Sequence, residues 1–149
     1  IIPNGLLAAL REPAAVPPSA PPDRLAIAAR ARAIVMAAER ALGFDPIDRE
    51  TEKVGYDIES RDPRQPGRLR FLEVKGRAAG AETLTVTANE IRYSLNKPEE
   101  YILAIVEFFP DGSHRTHYVR RPFQREPDFN AASVNYHFAD LLAQAAPPS

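Results

Sequence analysis

The chain has no cysteine, only three lysines among its nineteen basic residues, and a formal net charge of −1. The missing thiols exclude disulfides, cysteine nucleophiles and zinc–thiolate sites, and they suit a reducing, cytoplasmic setting. The near-zero charge excludes a global basic field, so any contact with nucleic acid has to come from local patches. No apolar run reaches the length of a membrane span, and the residues from Ile1 onward do not read as a signal peptide. The expectation is a domain excised from a longer protein, with no membrane contact. G-x-S-x-G, Walker A and G-x-G-x-x-G patterns are all absent.

What is present is ordinary in bulk and particular in detail. A length of 149 residues, 44% of them hydrophobic and 26% charged, fits one soluble domain with a real core. The fifteen prolines concentrate in residues 11–22 (REPAAVPPSAPP) and in the closing APPS. Such segments are extended and pack weakly. Residues 1–22 therefore read as a linker or the tail of an upstream domain, residues 23–146 as the folded unit and residues 147–149 as a tail.

Within the folded unit, Asp23 is a good helix N-cap and Gly43 a good C-cap signal. Ile27, Ala31, Ile34, Val35, Ala38 and Leu42 recur between them at helical spacing. Strands are expected near residues 53–60 and 68–75, separated by RDPRQPGR, and a short one over Leu84–Val86. Thr87 or Asn89 can cap a helix over residues 88–96. Tyr101–Phe109 is apolar almost throughout and reads as a central strand buried on both faces. Asp111-Gly112 marks a hairpin into a strand over residues 114–120. Ser133–Ala145 reads as a closing helix with Val134, Phe138, Leu141 and Leu142 inward. The element order is αβββαββα.

Asp57 and the Glu73-Val74-Lys75 triplet stand out against this frame. Side chains alternate along a strand, so Glu73 and Lys75 share one face. If the two runs pair as a hairpin, two carboxylates and an ammonium meet on one patch, a seat for a divalent cation and a phosphate. The alternative is a solvated strand face with an ordinary cross-strand ion pair. A strand lysine is notable in a chain that draws its positive charge from sixteen arginines. Lysine is a point charge whose pKa can shift, whereas arginine stays protonated.

This order, with Asp57 and Glu73-x-Lys75 on adjacent strands after a helix carrying Glu39, resembles the PD-(D/E)xK nucleases, the restriction-endonuclease-like fold. The segments GYDIES, FLEVKG, LTVTANEI and YILAIVEF resemble the domain named for the C-terminal region of protein NO VEIN. The likeness spans about residues 24–120, and Tyr56 stands where the wider superfamily has proline. It implies an α/β fold with a mixed sheet of about five strands flanked by helices. It also implies a magnesium- or manganese-dependent endonuclease site acting on DNA. In that site Asp57, Glu73 and the Val74 carbonyl hold the metal. Lys75 stabilises charge or, with a depressed pKa, deprotonates the attacking water. Glu39 and Glu90 are the family's helix acids by the same likeness. Glu39 also reads as a solvated helix-flank acid, and Glu90 as a favourable first-turn charge. The resemblance further implies a larger parent chain, helicase-like in some relatives, and a homodimer. Because the fold also occurs in modules that bind without cutting, an inactive DNA-binding or protein-interaction module is the alternative.

Arg61, Arg64, Arg68, Arg70 and Arg77 surround the motif in sequence and suit phosphate contacts, or else a solubilising loop. Tyr93 and Tyr101 read as core residues, with base stacking the alternative. His114 and His117 are three apart on a strand and so fall on opposite faces, which argues against a metal pair.

Overall fold

A computed structural model describes residues 21–149. The N-terminal linker assigned to residues 1–22 lies outside the described residues, apart from Pro21 and Pro22 in the first helical turn. Helix α1 (Pro21–Ala41) carries Asp23 in its first turn and Arg40 in its last, both favourable to the helix dipole. It ends in a Schellman pattern. The Phe44 N–H reaches the Glu39 carbonyl at 3.0 Å, that of Gly43 reaches Arg40 at 3.0 Å, and Gly43 has φ of +93°.

Strand β1 (Asp45–Asp48) follows, then a 3-10 turn (Glu50–Glu52), β2 (Ile58–Arg61), β3 (Leu69–Ala78) and β4 (Thr83–Thr87). Helix α2 (Ala88–Asn96) leads to β5 (Tyr101–Phe108), β6 (His114–Arg120), β7 (Ser133–His137) and α3 (Phe138–Ala143). The main sheet has five strands in the order β1-β2-β3-β5-β6. Only β3 and β5 run parallel within it, and the chain passes between them through β4 and α2. This is the mixed sheet flanked by helices that the sequence led us to expect. Residues 101–106 of β5 are all buried, as their apolar run requires.

Two cores lie on opposite faces. Beneath α1, Ala31 and Val35 pack on Ile58, Leu72, Val74, Ile102, Ala104 and Val106. The other face gathers Leu84, Val86 and Ile91 with Leu103, Ile105, Val119, Phe138 and Leu141. Gly76 lets α1 come close. A Cβ there would stand 3.2 Å from Ala31 Cβ and 3.1 Å from the Phe108 ring.

The structure departs from the sequence reading in three places. Ser133–Ala145 is not one helix, because Ser133–His137 forms β7 and only Phe138–Ala143 is helical. Val134 and Tyr136 are half-buried while Ser133, Asn135 and His137 are exposed, a period of two that fits a strand. The third strand, β4, leaves the main sheet and pairs with β7, Val86 opposite Val134. Strand β1 was unanticipated. Asp45–Asp48 has a proline and two carboxylates, yet it pairs antiparallel with β2 at the sheet edge, where proline is tolerated. The observed order is αββββαβββα.

Candidate active site

Strands β2 and β3 pair antiparallel, with Ile58 opposite Leu72. The last rung is the Asp57 N–H on the Leu72 carbonyl, 2.9 Å. Beyond it the backbone of β2 is no longer available, and the Asp57 side chain takes over. Its Oδ2 accepts from the Val74 N–H at 2.9 Å. The N–H and C=O of one strand residue point to the same side, so the Val74 carbonyl also faces the edge that β2 has vacated.

Glu73, Lys75 and Arg77 share the face of β3 that α2 covers, as Leu72, Val74 and Gly76 share the α1 face. Glu73 is 4% exposed. The Asp57 carboxyl lies near enough for its charge to act on Glu73. The Lys75 ammonium lies 3.3 Å from Glu73 Oε2 and 3.0 Å from Glu90 Oε1. Glu90 serves two purposes. Its Oε1 also accepts the Thr87 N–H at 3.0 Å, while Thr87 Oγ1 accepts the Glu90 N–H at 3.2 Å. This capping box fixes the first turn of α2 and aims Glu90 at Lys75. Thr87 was legible as a cap; its part in orienting Glu90 toward Lys75 was not.

The charge balance is uneven. Burial, and then the Asp57 charge, push the Glu73 carboxyl well above the usual carboxylate range. Burial also raises Asp57, against the pull of the Val74 N–H, Glu73 and Lys75. For Lys75, burial alone would lower the ammonium. Glu73 and Glu90 outweigh it and leave Lys75 above its ordinary value. The depressed lysine pKa expected for a general base is therefore not what this charge state provides. Lys75 is a protonated donor.

The donor set suits a hard cation. Asp57 and Glu73 offer carboxylate oxygens, and the Val74 carbonyl faces the same edge. Among the described residues no three His, Cys, Asp or Glu side chains form a metal cluster. Magnesium fits such a partial site, since it retains waters and takes one or two carboxylates together with substrate phosphates.

The other expected residues disperse. Glu39 is on the opposite face of the sheet, fully buried, neither at the site nor solvated. Its Oε2 accepts from Arg70 at 3.0 Å and from the Tyr118 hydroxyl at 2.6 Å. Arg70 stacks 4.2 Å from the Phe44 ring, also away from Asp57. Arg64 pairs with Asp62 at 2.9 Å, and Arg68 donates to Gln65 at 3.0 Å. Arg61 is on the carboxylate face but paired with Glu59 at 3.3 Å, nearer the far end of β2. Arg77 lies two residues beyond Lys75 on the same face and donates to the Thr83 carbonyl at 3.0 Å. His117 contacts Glu107 at 2.9 Å while His114 packs against Phe108, so the two histidines are separate.

Comparison with known proteins agrees with the architecture. The family model described as "Protein NO VEIN, C-terminal" matches residues 27–119. Among solved structures, the chain is similar to Hjc, a Holliday junction resolvase from Archaeoglobus fulgidus. That likeness has a TM-score of 0.53 at 13% identity and covers 80% of this chain and 90% of the resolvase. At that identity it shows a shared fold. No curated protein matches.

Proposed function

The chain belongs to the family of the protein NO VEIN C-terminal domain, and from that premise we propose that it is a metal-dependent nuclease domain hydrolysing DNA phosphodiester bonds. The observation that carries the reading is the meeting of Asp57 and Glu73, at the point where β2 gives way, beside an ammonium held by two glutamates. Phosphodiester hydrolysis needs an activated water, a positioned phosphate and neutralised charge. A bound magnesium or manganese ion supplies Lewis acidity and a template for the phosphate. Asp57, Glu73 and the Val74 carbonyl hold it. The Val74 N–H orients the Asp57 carboxylate, and Lys75 donates to the phosphate as negative charge develops. Glu90 would hold the ammonium independently of Glu73. The fold of a Holliday junction resolvase supports DNA as the substrate, and membership of a family named for a C-terminal domain supports a larger parent chain.

The test is a nicking assay with magnesium or manganese on duplex, single-stranded and four-way-junction DNA and on RNA. Wild type should cut at least one of these, and Lys75→Ala should be slower by about 10²–10³-fold. Equal nicking by both proteins contradicts the reading. So does no cutting by either, which leaves a module that binds without cleaving.

A further inference from the structure

Tyr101 opens β5 on the face that carries the carboxylates. It pairs with Phe71, and the next pair on that face is Leu103 with Glu73. Tyr101 and Glu73 are therefore diagonal neighbours on that face. Tyr101 is 1% exposed, and its hydroxyl has no hydrogen-bond partner in the protein. An unpaired buried hydroxyl costs about 1–3 kcal/mol, whereas phenylalanine would fill the same space without it. The chain does pair its other fully buried phenol, since Tyr118 donates to Glu39 at 2.6 Å. Burial, followed by the charges of Glu73, Glu90 and Asp57, raises the Tyr101 phenol well above its ordinary range.

We infer that Tyr101 is a positioning residue of this site, its O–H donating to a water in the shell of the divalent cation held by Asp57 and Glu73. This rests on the metal-dependent reading above. It accounts for a buried polar tip at the start of a strand that is otherwise aliphatic until Glu107. Outer partners of this kind govern affinity, because they hold the water at the distance the ion requires.

The experiment is calorimetric titration of Mn²⁺ into the protein at neutral pH without DNA, for wild type, Tyr101→Phe and Tyr136→Phe. Tyr136 lies on β7 against Phe123 and controls for loss of any phenol. Tyr101→Phe should raise the Mn²⁺ dissociation constant by about 10–100-fold, and Tyr136→Phe should leave it unchanged. Without metal, Tyr101→Phe should melt no lower than wild type, since the hydroxyl it loses is unpaired. Unchanged Mn²⁺ affinity in Tyr101→Phe, with wild type binding, overturns the inference alone. A lower melting temperature for Tyr101→Phe without metal also overturns it, by showing that the hydroxyl has a partner in the protein. Absence of Mn²⁺ binding by wild type overturns the inference together with the metal reading beneath it.

Discussion

Among the described residues two glutamates are buried, one on each face of the same sheet, and their surroundings are opposite. Glu39 on α1 meets a guanidinium at 3.0 Å and a phenol at 2.6 Å. Its charge is compensated where it is buried. Glu73 on β3 meets another carboxyl, Asp57, and an ammonium at 3.3 Å that it shares with Glu90. Three carboxylates thus draw on one lysine. Compensation makes a buried carboxylate a structural element; a like-charged neighbour leaves a deficit that a divalent cation can fill. The contrast separates two residues that the sequence presented as members of one site.

The comparison breaks most visibly through Arg70. Arg70→Ala leaves Glu39 buried without its cation and should destabilise the fold by about 3–5 kcal/mol in chemical denaturation. Mn²⁺ affinity of the folded fraction should not change. At the other glutamate the cost falls on activity. Asp57→Asn or Glu73→Gln should abolish Mn²⁺ binding in calorimetry and nicking with it, while the protein stays folded. Between the two faces, Gly76→Ala should cost about 1–3 kcal/mol by crowding Ala31 and Ile27 of α1 and the Phe108 ring, with the melting temperature as readout.

The smallest effect is the most diagnostic. A raised Glu73 pKa means that the folded protein binds more protons than the unfolded chain above the ordinary carboxylate value of 4.5. Unfolding then releases protons, and stability falls as pH climbs from there toward the raised pKa. Asp57, also raised, contributes with the same sign. Melting of the metal-free protein should therefore show a downward slope with pH across that window. Glu73→Gln should flatten it and, at neutral pH, stabilise the apoprotein by about 1 kcal/mol. A steeper slope in Glu73→Gln would mean that Glu73 is not the group responsible.

Local signals were legible in the sequence. Asp111-Gly112 made its hairpin, Thr87 capped α2, and the apolar run over Tyr101–Phe108 became an interior strand between β3 and β6, although β3 holds the middle of the sheet. The one-face placement of Glu73 and Lys75 also followed, because strand alternation is a local rule. What escaped depends on distant partners. Glu39 finds Arg70 thirty-one residues away and Tyr118 seventy-nine away. No local pattern distinguishes that glutamate from a solvent-facing one. Strand β7 needed β4 to define it, and the arginine cluster dissolved once β2 and β3 sent Arg61 and Arg70 to different faces. Of the two behaviours open to Lys75, the depressed pKa is the one its surroundings oppose, since a second glutamate beside it arrives from α2.

The most direct measurement is anomalous scattering from a crystal soaked in Mn²⁺ at neutral pH. The account predicts a manganese peak within about 2.0–2.3 Å of carboxylate oxygens from both Asp57 and Glu73, with the Val74 carbonyl beside it. A map with no peak there would contradict it.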